Sequence, residues 1–73
     1  MTRVTEMTRT EICELALDIA HEYWDMCKGA SEAEIAEHMA EHDRWAEIAD
    51  RAMTGEVTEE EKAEMQEWAD MWE

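Results

Sequence analysis

The sequence has no proline and only two glycines, Gly29 and Gly55. Nothing therefore interrupts its periodic segments, since proline is the residue that both removes an amide donor and clashes with the preceding turn of a helix. Phenylalanine is absent as well, and the large aliphatic residues number only eight: Val4, Ile12, Leu15, Leu17, Ile19, Ile35, Ile48 and Val57. With 73 residues and so few bulky apolar groups, a large enclosed core is excluded. The two cysteines, Cys13 and Cys27, lie on one expected helix. At a rise of about 1.5 Å per residue they are roughly 21 Å apart, too far for a disulfide, so both are expected as free thiols in a reducing compartment. No apolar run approaches the ~20 residues a membrane span needs, and the first residues lack the apolar segment of a secretion signal. A cytoplasmic location is the expectation. Bases are scarce: six stand against 21 acids, for a net charge of −15. Direct binding to nucleic acid or to an anionic membrane is thereby excluded, because both are polyanions.

What is present is helical punctuation. Thr8-Arg9-Thr10-Glu11, Ser31-Glu32-Ala33-Glu34 and Thr58-Glu59-Glu60-Glu61 each have the form of a capping box, in which a hydroxyl and a carboxylate satisfy the first free amides of a helix. Gly29 and Gly55 each fall just past a periodic segment, where a left-handed residue ends a helix. Helices are expected at about 9–28, 32–53 and 59–72, preceded by a flexible arm over residues 1–7. On the first, Ile12, Leu15, Ile19, Tyr23 and Met26 recur by three and four, with Leu17 and Trp24 widening the apolar arc. On the second, Ile35, Met39, His42, Ala46, Ala49 and Met53 form a coiled-coil-like seam, flanked by Trp45, Ile48 and Ala52. Met65, Trp68, Ala69 and Trp72 make the stripe of the third. Short connections make neighbouring helices antiparallel, so the expected fold is one all-α domain over residues 1–73, a small three-helix bundle.

The acids are patterned too. Glu11, Glu14, Asp18, Glu22 and Asp25 share one face of the first helix, a carboxylate about every 5 Å along the axis. Glu34, Glu37 and Glu41 line a flank of the second. Net charges of about 2–8 keep a small domain soluble, so −15 calls for a further reason. A high-salt habitat also acidifies proteins, but Glu outnumbers Asp by sixteen to five, which is the preference of a helix former. A rigid row of carboxylates resembles a phosphate backbone, with its charge every ~3.4 Å along each strand, and can block a groove lined with Lys and Arg. In length, charge and helix content the chain resembles the small acidic phage-encoded inhibitors of host defence nucleases, the DNA-mimic anti-restriction and anti-CRISPR proteins. That resemblance implies a partner such as a restriction nuclease or a CRISPR effector, met in the host cytoplasm, and carries over no residue roles.

Chemistry has thinner support. His38-Met39-Ala40-Glu41-His42 fits the inverted zinc-protease pattern H-x-x-E-H, so His38 and His42 are the candidate metal ligands. A third ligand would have to come from another helix, and a histidine within an apolar seam is ordinarily a packed one. No cofactor and no catalytic residue are expected, and the chain is read as a binding protein, not an enzyme. Its expected partner is a protein with a basic, nucleic-acid-binding surface, contacted through Glu11, Glu14, Asp18, Glu22, Asp25, Glu34, Glu37 and Glu41. The alternative is a helical adaptor acting through an apolar Trp/Met seam. Trp68 and Trp72, one turn apart, are the expected apolar contact, and a weak homodimer is expected from the thin core. A histidine-based metal-binding protein is the third reading.

Overall fold

The computed structural model describes residues 3–72. Three α-helices follow a short 3-10 helix, Val4–Glu6: α1 (Arg9–Met26), α2 (Glu32–Ala52) and α3 (Glu59–Met71). All three capping boxes form with both arms in place, at Thr8 with Glu11, Ser31 with Glu34 and Thr58 with Glu61. Gly29 and Gly55 take positive φ values of 77° and 80°, the left-handed backbone that an L side chain resists, and they stop α1 and α2. The three-helix bundle expected from the sequence is the fold, with each helix one or two residues shorter at its C-terminal end.

α1 and α2 form an antiparallel hairpin whose buried faces are built around small residues. Ala16, Ala20, Ala49 and Ala52 are all buried, beside Ile12, Ile19, Trp45 and Ile48. Small side chains let two helices approach closely, which is how a chain with few large aliphatics still excludes water between them. α3 adds Met65 to this core and is fixed by side chains that reach across. Trp68 meets Tyr23 edge-on at 5.5 Å between ring centroids. Arg44 of α2 pairs with Glu64 of α3, and Arg51 grips Glu61.

Two expectations about the core are corrected. The arm expected over residues 1–7 is, over its described part, a docked segment. Val4 is 1% exposed, and its amide donates to Oε1 of Gln66 at 2.9 Å, so residues 62 apart in sequence hold the segment on α3. Residues 1 and 2 lie outside the described residues. The seam expected on α2 is also rotated from the buried centre: Trp45, Ile48, Ala49 and Ala52 are buried, whereas Met53 is 53% exposed. On α1, Leu17 and Trp24 are exposed for the same reason, that α3 covers only one side of the hairpin, and Met26 is exposed as the last residue of the helix.

The Arg51–Glu61 contact is bidentate, with Nη1 and Nη2 donating to the two carboxylate oxygens at 3.2 and 2.6 Å. Glu61 also accepts from the Thr58 amide at 2.9 Å, so one carboxylate both starts α3 and ties it to α2. The Arg51 fork holds its carboxyl below the ordinary value of 4.5. A depressed pKa in the folded state means that this contribution is complete above the ordinary value and is lost as pH falls through the folded one. Glu61→Gln is therefore expected to cost about 2 kcal/mol at neutral pH, from the weakened cap and the uncompensated guanidinium. Urea titrations should show that penalty shrinking as pH falls from the ordinary carboxylate value through the depressed one, below which the wild-type carboxyl is itself protonated. A penalty unchanged at low pH contradicts the assignment.

Candidate functional site

The outer face of α1 carries the acidic row. Glu14, Asp18 and Asp25 are exposed and Glu22 is half-buried. Their spacing by three and four is that of one helix face, and the capping box at Thr8 sets where that face begins. Asp18 and Glu22 border a shallow recess with His21 and with Trp72 from the end of α3. Trp72 is thus partly exposed beside the acidic row, while Trp68 is engaged within the fold by Tyr23 and by Trp72, at 5.5 Å from each.

The bases are placed elsewhere, and their placement divides the eight candidate acids. Arg44 lies between Glu41, at 3.3 Å, and Glu64. Arg51 takes Glu61, with Glu47 at 4.0 Å. Lys62 pairs with Glu59 at 3.9 Å and Lys28 with Asp25 at 3.7 Å. Glu11 and Glu34 are occupied as the reciprocal arms of the first two capping boxes. The Thr8 amide holds the Glu11 carboxyl below its ordinary pKa, so it sits ionised at the positive end of the helix dipole. Among the described residues, Glu14, Asp18, Glu22 and Glu37 make no ion pair. Glu37 stands in line with Glu41 and Arg44 on α2 and not with the α1 row. The uncompensated charge of the row is therefore concentrated in Glu14, Asp18 and Glu22.

The histidines of the H-x-x-E-H pattern are packed against aromatic rings. His38 lies 6.3 Å from Tyr23 and His42 lies 5.8 Å from Trp24, centroid to centroid. His42 Nδ1 is also 3.2 Å from Asp43 Oδ1. Among the described residues no group of three or more His, Cys, Asp or Glu is arranged to hold a metal ion. Glu41, the acid of that pattern, is held by Arg44. Cys13 and Cys27 are free and half-buried, and the Cys27 thiol donates to the Tyr23 carbonyl at 3.5 Å. No helix among the described residues is long and apolar enough to cross a membrane.

Sequence reasoning missed two features. Arg44 and Arg51, seven residues apart on α2, hold α3 in place; their spacing of two turns against Glu61 and Glu64 is the signal that was available. The side of the hairpin away from α3 leaves Leu17, Trp24 and Met53 exposed. Its signal was an apolar arc on α1 and α2 wider than one buried stripe requires.

Segregated charge has a measurable consequence. Like charges one turn apart repel by a few tenths of a kcal/mol per pair, and the Debye length shrinks from about 10 Å at 0.1 M salt to 3 Å at 1 M. The melting temperature followed by circular dichroism is expected to rise across that range. A flat or falling trend means that the α1 row is neutralised locally.

Comparison of the chain with protein-family models, with curated proteins and with solved structures finds no match.

Proposed function

We propose that this protein is an acidic binding module that occupies a basic, nucleic-acid-binding surface of another protein and thereby inhibits or modulates it. The observation that carries the reading is the isolation of Glu14, Asp18 and Glu22: among the described residues they make no ion pair, while Arg44, Arg51, Lys28 and Lys62 are paired at other acids. Internal pairing thus leaves this charge free for an external partner. A rigid helix presents it without the entropy loss of ordering a loop, and its regular spacing suits a groove built to hold phosphates. Electrostatic steering makes such an encounter fast and strongly dependent on salt. The proposed activity is binding, with no chemical step, and the class of partner is the one that the small acidic inhibitors of defence nucleases address.

The test is parallel affinity capture from a host lysate with the wild type and with the Glu14→Gln, Asp18→Gln, Glu22→Gln variant. The expected result is a protein retained by the wild type at low salt, released at high salt or by added DNA or RNA, and lost by the variant. Retention of the same protein by both chains, unaffected by nucleic acid, removes the reading.

A further inference from the structure

On the side of the α1–α2 hairpin away from α3, exposed apolar residues run beside acidic ones, and a groove opens near the turn. Arg44 and Arg51, whose ion pairs reach Glu64 and Glu61, mark the α3 side of α2. Met39, Ala46 and Met53 repeat every seven residues on the same helix, and their line is offset by about 200° from that of the two arginines, at about 100° per residue. On α1, Leu17 and Trp24 are likewise two turns apart, turned away from Glu22, which borders Trp72 of α3. The two lines meet where Trp24, Cys27, Ile35 and Met39 form one groove, with Lys28 at its end. Trp24 is 54% exposed, Met53 53% and Leu17 42%, a large apolar surface for a chain with so few bulky residues.

Charge identifies what fits there. Helical register places Glu14 and Asp25 along the α1 border, and Asp43 and Asp50, themselves seven apart, along the α2 border. The one base at the groove, Lys28, is paired with Asp25 at 3.7 Å. A second copy would set acidic border against acidic border between chains of −15 each. An anionic membrane is repelled for the same reason. An amphipathic helix whose apolar stripe is flanked by Lys and Arg matches both the groove and its borders. Seating a helix in an apolar groove through anchors at i, i+3, i+4 and i+7 is an established mode of recognition.

We infer that the α1–α2 groove is a docking site for a cationic amphipathic helix of a partner protein. This extends the proposed function by naming the segment engaged, but it rests on apolar residues that the acidic-row reading does not use. Trp24 and Leu17 supply the anchor contacts; methionines at Met39 and Met53 adapt to the incoming side chains.

The probe is a fluorescein-labelled synthetic peptide of about 18 residues, about five turns of helix, with a leucine stripe bordered by lysines. A scrambled peptide of identical composition serves as control, and binding is read by anisotropy and by circular dichroism. The expected result is that the patterned peptide binds and gains helicity, and that the scrambled one binds more weakly. Leu17→Gln with Trp24→Gln, both at exposed positions, should weaken the patterned peptide by about tenfold or more, the scale of a hot-spot truncation. The triple α1 variant should chiefly flatten the salt dependence. Equal binding of both peptides, an unchanged affinity of the Leu17/Trp24 variant, or sedimentation of the free protein as a dimer abolished by those two substitutions each overturns the inference. Loss of affinity in the Leu17/Trp24 variant without any effect of the triple variant upholds the groove and leaves the acidic row to the capture experiment above.

Discussion

Trp45→Ala is expected to leave the chain largely unfolded at room temperature. Trp45 is 1% exposed and is the largest of the fully buried side chains. Truncating a buried Trp or Phe typically costs about 3–5 kcal/mol, from lost transfer energy and the cavity left behind. At about 0.05–0.15 kcal/mol per residue a chain of this size has roughly 4–11 kcal/mol in total, and the self-repulsion of the acids places it toward the lower end. The ring also carries the Arg44 guanidinium 5.2 Å above it, and Arg44 is one of the two bases that bind α3. Losing the indole therefore loosens α3 as well as the hairpin. Trp45→Phe should be far milder. Among the described residues the buried Nε1 finds no hydrogen-bond partner, and an unsatisfied buried donor costs about 1–3 kcal/mol, which the phenyl ring does not incur. Urea denaturation of the two variants checks the contrast. A folded, cooperative Trp45→Ala chain would contradict the assignment of the core.

The second large effect concerns binding. Glu14→Gln, Asp18→Gln and Glu22→Gln together remove three of the 21 acids, all from one face of α1. No ion pair is broken among the described residues, and removing like charges at i, i+4 is expected to stabilise α1 by a few tenths of a kcal/mol per pair. The melting temperature should hold or rise slightly. Affinity for a basic partner should fall by about two orders of magnitude at low salt, on the order of 1 kcal/mol for each charge that meets a Lys or Arg across a partly desolvated interface. Stability and binding thus move in opposite directions, which separates a functional face from a structural one.

How much of this could be read from the residues follows the range of the interactions involved. The helix boundaries were legible because they are local: each capping box spans four residues, and each stop is a glycine whose backbone must turn left-handed. The α1 acidic row was legible for the same reason, as a periodicity. What escaped reading depends on partners distant in the chain. The docking of Val4 requires Gln66, and nothing near residue 4 announces it. The rotation of the buried face on α2 follows from where α3 lies, which Arg44 and Arg51 decide through Glu64 and Glu61. A strict alternation by three and four marked Met39, Ala46 and Met53 as core. Instead Trp45 and Ile48, the bulkier neighbours, fill the interior and leave Met53 in the open. Among the candidate site residues the division between free and held acids was local as well: Glu11 and Glu34 are capping-box arms, and Asp25 and Glu41 each have a lysine or arginine three residues on, Lys28 and Arg44, which Glu14, Asp18, Glu22 and Glu37 lack.

The measurement that bears most directly on the acidic face of α1 as the functional surface is competition. A partner captured by the wild type is titrated with it in the presence of increasing duplex DNA or single-stranded RNA, at low and at high salt. If the carboxylate row occupies a surface built for phosphates, nucleic acid displaces the protein, and affinity falls steeply with salt as the contacts are screened. Simultaneous binding of nucleic acid and protein, with an affinity indifferent to salt, would contradict the account.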